Sequence, residues 1–572
     1  MSDIKYSRRE LIQLGGFSGL SLYSGMDSLV EMILKSFVRR AIAEETGQQE
    51  HQPTNYINVG LLGAPLRYQF DHWIRTNAND PESKLTLITG SKLNFSNGKL
   101  SGADHGYFNH NGVLVPHLYT QNVNTSNGSK PLSDLLKHMT VIRGYQTGLD
   151  GHPTNHVRQM APVGGLPSMT GLAADYSHRI FDAIQWPNRG GYNAFNSAKS
   201  KSINILNVGT HPAQALLEGF SKPPDNLIKA RSLSERNKDA VDLAKRRLAF
   251  YINADLPGSK VLAKNHSNAI ALIKKGTDNL EAFWIPSVNR YHNLISEAMR
   301  TLNIPGISDS PLLFDNTGNW NNHFADLGDA KRSDLFWKVG SGTAWPIHLD
   351  FDFRQAVAKT YHNYLAEGLA LCEYILSEQL GAALEIHFGT IPLDFRMAGT
   401  DAVQTFNFDN DMHETGAVAA IFLMNQYYRG LGAGILELIE QLKAKKIGTT
   451  DVWSKTVIQF SSEFSRSARA AGNGSDHGFN QMVTSALAGA VKNGPHVVGN
   501  IYQTPASGTQ GVAAPIANYT MKDAPSPVMA ASTVAELMQV DHNPYENLAA
   551  PLCEFENGVL NVKYPGKMIE GG

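Results

Sequence analysis

The stretch "KTVIQFSSEFSRS", Lys455 to Ser467, indicates the fold class of the chain. Its first half is a short apolar run, typical of a strand covered on both faces, and a glutamate and an arginine follow where the run ends. Other apolar runs predict further strands: "YINVGLLGAP" (56–65), "HMTVIRGY" (138–145), Ile203–Val208, "ALEIHFG" (383–389) and, at the periphery, "HVVGNIY" (496–502). Several of these runs also end in polar or glycine-rich loops.

Helix-forming stretches lie between these runs. They are Ser234–Asn253, Ala269–Thr301, Phe353–Leu380 and Glu414–Lys446. Strands that alternate with helices predict an α/β fold with a mostly parallel sheet covered on both faces. In such sheets ligands gather beyond the carboxyl ends of the strands, so we expect the functional residues in the loops at that edge.

The chain of 572 residues is predicted to form one large α/β domain over about 55–565, preceded by a separate segment over 1–45. We expect insertions at about 90–130, with a hairpin at "NFSNGKL" (94–100), and at about 230–350, where the sequence is largely helix-forming. A loop excursion is expected over 500–530. The insertions offer surfaces for a protein partner.

Composition excludes some function classes. Fifty Lys and Arg residues face 52 Asp and Glu residues, and only 18% of the chain is charged, which argues against a dedicated nucleic-acid binder. The two cysteines, Cys372 and Cys553, form no CxxC motif and support neither a disulfide framework nor a cysteine metal site.

The N-terminus resembles a twin-arginine export signal. Ser7-Arg8-Arg9-Glu10-Leu11 is followed by a mildly apolar segment rich in Gly and Ser. The alternative is that the paired arginines stand beside the start of a helix over 27–40, where apolar residues recur at helical spacing. The signal predicts a periplasmic or extracellular protein. No span of roughly 18 apolar residues occurs elsewhere, so we expect no transmembrane segment in the mature chain.

Two polar clusters follow predicted elements before the last strand. "GLDGHPTNH" (148–156) carries His152 and His156, which could bind a metal or move protons, and Thr154, whose hydroxyl is a candidate nucleophile. "FNFDNDMHETG" (406–416) carries Asp409, Asp411 and His413, oxygen and imidazole ligands that suit a divalent cation. Either cluster could instead cap the helix that follows it.

The third cluster is the end of the opening stretch and the loop behind it. Arg466 could hold an anionic ester, or it could pair with Glu463 inside the protein. Asp476 and His477 lie between glycines, where an adjacent carboxylate and imidazole have little structural use, so they are the strongest single candidates for a metal or acid–base site.

In the order and spacing of these motifs, the chain resembles the family called domain of unknown function 1501, which is related to the alkaline phosphatase and sulfatase superfamily. The resemblance covers most of 57–550, including "SPVMAASTVAELMQV" (526–540). It implies an α/β/α sandwich and a divalent-metal site at the carboxyl edge of the sheet. It also implies metal ligands among five residues: Asp411, His413, Glu463, Asp476 and His477. Asp409 is a further candidate ligand because of its place in the second cluster.

The resemblance is carried by short motifs. The family's Trp-Asp-Thr-His reads Asn410-Asp411-Met412-His413 here, its Glu-Phe-Gly-Arg reads Glu463-Phe464-Ser465-Arg466, and its Gly-Arg-Asp-His reads Gly474-Ser475-Asp476-His477. The first-strand motif departs from the family, because Gly-Gly-Pro-Ser-His reads Gly63-Ala64-Pro65-Leu66-Arg67. The histidine is lost and the usual aspartate is absent, although Asp71 is near.

These features predict an exported hydrolase that uses Zn, Ca, Mg or Mn to cleave a phosphate or sulfate ester, free or carried on a polymer, with a hydroxyl or water as nucleophile. The main alternative is a catalytically degenerate member of the same fold that acts as a binding or assembly protein outside the cytoplasm. A weaker alternative is a metal-free carbohydrate or peptidoglycan binder that uses aromatic residues such as Trp73, Trp186 and Trp320.

Overall fold

The structure is a computed structural model. It describes residues 54–76, 87–90, 92–96, 99–104, 108–177, 179, 183–187, 190–192, 194–198, 205–207, 249, 253, 282–299, 359–388, 391–396, 403–408, 410–413, 417–468, 474–503, 512–514, 524–563 and 568–570. The predicted export signal over 1–45, Asp409, Trp320 and nearly all of 203–281 lie outside the described residues.

Twenty-five strands and six helices are labelled in chain order over the described residues. The strands are β1 Asn55–Leu61, β2 Lys92–Ser96, β3 Lys99–Asp104, β4 Phe108–His110, β5 Val113–Val115, β6 Asn122–Thr125, β7 Gly128–Pro131, β8 Met139–Tyr145, β9 Ala183–Trp186, β10 Ile205–Asn207, β11 Ala383–Phe388, β12 Ile391–Arg396, β13 Val403–Phe408, β14 Lys446–Ile447, β15 Thr450–Asp451, β16 Thr456–Ser462, β17 Ser465–Ala468, β18 Ser475–Gly478, β19 Met482–Ala488, β20 His496–Val498, β21 Asn500–Gln503, β22 Val512–Ala514, β23 Cys553–Glu556, β24 Val559–Val562 and β25 Met568–Glu570. The helices are α1 His152–Met160, α2 Met169–Asp175, α3 over 282–299, α4 Lys359–Ser377, α5 Ala417–Ala444 and α6 Pro527–Leu537.

The main sheet has eight strands in the order β10-β9-β11-β1-β16-β19-β8-β20. Seven strands run in one direction, and β19 is antiparallel to both of its neighbours. This confirms the prediction of an α/β protein with a mostly parallel sheet. The central strands β1, β11 and β16 are buried along their whole length, as expected for strands covered on both faces.

Helices pack against both faces of this sheet. Alternate residues of β1 point to opposite sides, so that Ile57, Val59 and Leu61 join a core with α4 and α5, while Tyr56 joins a core with α2 and α6. The two sides are thus sealed by separate apolar cores. None of the described helices combines the length and the apolar character that a bilayer-spanning segment needs.

Most predicted elements are present, with three corrections. "HVVGNIY" is not one strand, because Gly499 takes a positive φ of 80° and separates β20 in the main sheet from β21 in a small three-stranded sheet. The region 500–530 is not only a loop, since it includes β21, β22 and the start of α6. Two sheet strands, β9 and β19, went unpredicted.

The described residues of the region 90–130 include three hairpins, β2–β3, β4–β5 and β6–β7, and the first is the hairpin predicted at "NFSNGKL". In the region 230–350, α3 confirms the helical prediction where the structure describes it. Trp73 and Trp186 are fully buried and offer no surface for carbohydrate. Cys372 and Cys553 are both buried and unbonded.

Candidate metal centre

Loops from distant parts of the chain meet at the carboxyl edge of the sheet. His152 begins α1, a few residues after β8 ends, and Asp411 lies in the described segment 410–413 before α5. His477 lies on β18, which pairs with β17 so that His477 stands opposite Arg466. Because the parallel strands end at the same edge, residues separated by more than 300 positions become neighbours.

Three side chains form a set that could hold a metal ion: His152, Asp411 and His477, whose ligand atoms all lie within 4.8 Å of one another. His152 Nε2 is 3.6 Å from Asp411 Oδ2, and His477 Nε2 is 3.9 Å from Asp411 Oδ1. Donor atoms that share one tetrahedral cation at ~2.0–2.1 Å lie roughly 3.3 Å apart. The set therefore fits a single divalent cation after small adjustments.

His413 borders this set. Its Nε2 lies 3.1 Å from Asp411 Oδ1 and 3.0 Å from His477 Nε2. Two imidazole nitrogens at that separation need a proton or a cation between them, since two lone pairs would repel. His413 is thus a candidate for a further ligand.

Arg466 is fully buried beside the set. Its Nε donates to the Ala64 carbonyl oxygen at 2.7 Å, and its Nη2 donates to the Gly63 carbonyl oxygen at 2.8 Å and forms an ion pair with Asp411 Oδ1. Its Nη1 lies 3.4 Å from His413 Nε2. Arg466 does pair with a carboxylate, as one interpretation of the sequence held, but the partner in the structure is Asp411 and not Glu463.

Glu463 and Phe464 line the inner wall of the site, and neither is exposed. Glu463 Oε2 lies 3.7 Å from His152 Nδ1. The Phe464 ring stacks on His477, with centroids 4.2 Å apart and an interplanar angle of 13°, and it meets the edge of His152 at 4.7 Å. The two imidazoles therefore rest on one aromatic surface.

The outer wall carries two exposed carboxylates. Asp150 accepts a hydrogen bond from Nδ1 of His477. Asp476 Oδ1 lies 4.0 Å from His413 Nδ1, and its side chain is 53% exposed. Asp476 therefore lies behind His413 and outside the three-residue set, although the sequence made it a leading candidate.

Neighbouring charges set the ionisation of Asp411 and His152. Burial acts to raise the pKa of Asp411, but hydrogen bonding by His413 and the guanidinium of Arg466 hold it well below the usual carboxyl range. Burial acts to lower the pKa of His152, yet Glu463 and Asp411 together raise it. Positive charge at the His152 ring is thus stabilised.

The pKa of His477 is lowered, first by burial and then by Arg466 and His413, against the opposing effect of Asp150. His477 is therefore neutral over a wider pH range than a free histidine. The neutral imidazole is the form that binds metals. For Glu463, burial acts to raise the pKa, and the His152 ring and the Gly63 N–H outweigh it, so that the carboxylate stays ionised.

The other predicted catalytic residues are less central. Thr154 is exposed on the first turn of α1. His156 lies one turn deeper on the same helix and is fully buried, with its ring 5.3 Å from that of His387, and burial lowers its pKa to about 4. His156 is a neutral interior residue in this structure, so we do not place it in the site.

Asp71, a carboxylate shortly after the first strand, does not enter the site. It is fully buried in an ion pair with Arg67, whose Nε donates to Asp71 Oδ1 at 2.9 Å. Arg67 also donates to the Phe460 and Val483 carbonyl oxygens at 3.2 and 3.3 Å. The pair is part of the protein interior.

Sequence reasoning gave no role to Asp150, Phe464 or the Gly63 and Ala64 carbonyls. Asp150 precedes His152 within the same polar cluster, so the sequence shows that Asp150 is close to His152. The sequence does not show that its hydrogen-bond partner is His477. Backbone acceptors carry no residue-type signal, although a glycine after a strand is typical of a sharp turn. Gly63 and Ala64 have positive φ values of 83° and 51°.

The chain was compared with protein-family models, curated proteins and solved structures, and none of them matches it.

Proposed function

We propose that the protein is an exported, metal-dependent hydrolase of the alkaline phosphatase and sulfatase type that acts on a phosphate or sulfate ester. The observation that carries the proposal is the convergence of His152, Asp411 and His477 at the carboxyl edge of a mostly parallel sheet. When bound, a divalent cation would polarise the ester and stabilise negative charge in the transition state.

The neighbouring groups suit an anionic substrate. Arg466 is fixed by two backbone carbonyls and by Asp411, which leaves Nη1 directed toward the ligand side of His413. Helix α1 begins at the site, and its N-cap residue, Gly151, offers no side-chain acceptor for the first N–H groups. A helix N-terminus without a side-chain cap attracts an anion. The hydroxyl of Thr154, exposed on that turn, is the candidate protein nucleophile.

A second candidate function rests on the first strand. Arg67 replaces the family's histidine and is sealed in the interior with Asp71. A site that lacks one ligand would suit a binding or assembly protein of the same fold. Both candidates place the protein in the periplasm or outside the cell.

Elemental analysis by mass spectrometry tests the metal site first. We expect about one equivalent of a divalent metal in the purified protein, because one ligand set is present, and loss of it in Asp411→Asn. His152→Ala should lose metal too, without disturbing the Arg466 ion pair. Asp134→Asn, which removes an exposed carboxylate paired with Lys137, is the matched control. Absence of metal from the parent protein would refute the mechanism.

Turnover is tested separately with p-nitrophenyl phosphate and p-nitrophenyl sulfate. Hydrolysis that disappears in Asp411→Asn and persists in Asp134→Asn would support the hydrolase. Metal binding without cleavage of either ester would favour the binding or assembly protein.

A further inference from the structure

We infer that Asp150 and Glu463 are positioning residues that hold the Nδ1 atoms of His477 and His152, so that both rings present Nε2 to the ligand position. In this arrangement the site selects a cation that prefers nitrogen ligands, such as Zn²⁺, over Mg²⁺ or Ca²⁺. The inference rests on the metal site of the proposed function, but it does not depend on turnover.

His477 gives the clearest geometry. Its Nδ1 is hydrogen-bonded to Asp150 Oδ1, and its Nε2 faces Asp411 and His413. An ionised carboxylate only accepts hydrogen bonds, so Nδ1 must carry the proton. In the neutral ring Nε2 is then the unprotonated nitrogen, whose lone pair accepts a hydrogen bond from His413 Nε2 in the metal-free protein and can bind a metal in its place.

His152 repeats this pattern on the other side of the site. Its Nδ1 faces Glu463 Oε2 at 3.7 Å, while its Nε2 faces Asp411 Oδ2 at 3.6 Å. Glu463 is wholly buried and makes no regular hydrogen bond with another described side chain. A buried carboxylate is stabilised by a hydrogen-bond donor beside it, and the Nδ1–H of His152 lies beside Glu463. Carboxylates behind metal-bound imidazoles have this orienting effect in general.

Phe464 makes the orientation specific. It stacks flat on His477 and meets His152 edge-on, so neither ring can turn without losing the contact. The aromatic surface fixes the planes of the rings, and the two carboxylates decide which nitrogen of each ring points inward. Together they pre-organise two nitrogen donors.

The resulting donor set determines the class of metal. Asp411 Oδ1 is held by Arg466, which leaves Oδ2 as the carboxylate oxygen that faces His152. Two imidazole nitrogens and one carboxylate oxygen suit Zn²⁺ and similar transition metals. Mg²⁺ and Ca²⁺ instead prefer sites composed of oxygen ligands.

The test compares Asp150→Asn with Asp134→Asn in the metal-stripped full chain. Asp150 is 61% exposed, so its substitution leaves the core intact. Zn²⁺ affinity is measured at pH 8 by competition with a chromophoric chelator, and Mg²⁺ affinity by calorimetry. We expect Asp150→Asn to bind Zn²⁺ about 10–100-fold more weakly than the control, because the carboxylate no longer orients His477. Mg²⁺ binding should be weaker than Zn²⁺ binding in the parent protein.

The tautomers provide a readout that is independent of metal. In the stripped protein labelled with ¹⁵N-histidine, Nδ1 of His477 should be protonated and Nε2 unprotonated, and Asp150→Asn should shift this ring toward the other tautomer. Glu463→Gln should do the same to His152. Zn²⁺ affinity within twofold of the control, with an unchanged His477 tautomer, would overturn the inference.

The outcomes separate the two proposals. Zn²⁺ binding that weakens in Asp150→Asn, in a protein that cleaves neither ester, would support the positioning role and refute the hydrolase. Ester cleavage that depends on Asp411, with Mg²⁺ bound more tightly than Zn²⁺, would support the hydrolase and overturn the selectivity inferred here.

Discussion

Replacing Glu385 by Gln is expected to change how the stability of the protein depends on pH. Glu385 lies in the middle of β11 and is only 3% exposed. Gln185 donates to its Oε2 at 3.2 Å, and His387 Nε2 lies 3.8 Å from the same oxygen. Burial raises the pKa of Glu385 to about 8, and hydrogen bonds from Thr170 and Gln185 oppose this effect only in part.

The direction in which stability changes with pH follows from the number of protons bound in the folded and unfolded states. Between the unfolded pKa of 4.5 and the folded pKa of about 8, the folded protein keeps a proton on Glu385 that the unfolded chain has lost. The protonated Glu385 carboxyl therefore contributes its full stabilisation below about pH 4.5, and this contribution is lost as the pH rises to about 8. Each pH unit corresponds to about 1.4 kcal/mol, so the full interval amounts to on the order of 5 kcal/mol.

Urea unfolding of the parent protein and Glu385→Gln from pH 5 to pH 9 tests this. Gln resembles the protonated carboxyl and cannot ionise, so the variant should gain stability relative to the parent as pH rises, and the difference should level off above about pH 8. Glu556→Gln, at an exposed hairpin position, controls for loss of a carboxylate as such. A difference that stays constant across the whole range would refute the assignment of a protonated Glu385.

Two further predictions concern stability. Glu437→Gln should cost about 2–4 kcal/mol in urea unfolding, because the buried carboxylate forms an ion pair with Arg290, whose Nε lies 2.9 Å away, and accepts a hydrogen bond from the Ser126 N–H at 2.8 Å. Glu440→Gln nearby should cost less than about 1 kcal/mol. Gly60→Ala should lower stability by about 1–3 kcal/mol, because a Cβ at that position would lie 2.7 Å from the His387 ring, while Gly164→Ala, with open space around it, should leave the midpoint unchanged.

Much of the sheet could be predicted because an inner strand of a parallel sheet is a continuous apolar run. The two missed strands lack that signal. In β19, Thr484 and Ser485 interrupt the run, and their hydroxyls are satisfied inside the protein by Phe460 and Asp71. β9 is only four residues long and contains Gln185, which bonds to Glu385 on the next strand. A strand cannot be recognised as a continuous apolar run when it contains polar residues whose hydrogen-bond partners lie elsewhere in the chain.

The candidate site could be predicted as a set of loops, but not as a set of ligands. Asp476 and His477 were expected to act as a pair, yet both lie on β18, where successive side chains point to opposite sides. His477 therefore faces the site and Asp476 faces outward behind His413. Asp411, the carboxylate of the described segment 410–413, meets His152, His413 and His477.

The first strand contributes backbone to the site instead of a side-chain ligand. The loop after β1 takes positive φ at Gly63 and Ala64, and their carbonyl oxygens hold Arg466, which in turn holds Asp411. A Cβ on Gly63 would lie 2.7 Å from that of Asn410, so the close approach of this loop to the segment that carries Asp411 requires glycine.

This arrangement bears on the number of metal ions. His152, Asp411 and His477 come from α1, the segment 410–413 and β18, so their convergence needs no ligand from β1. In the loop after β1, the buried guanidinium of Arg67 pairs with Asp71, so this carboxylate is engaged as an ion-pair partner and does not belong to the ligand set. Among the described residues, the one ligand set is therefore compatible with a single-cation site.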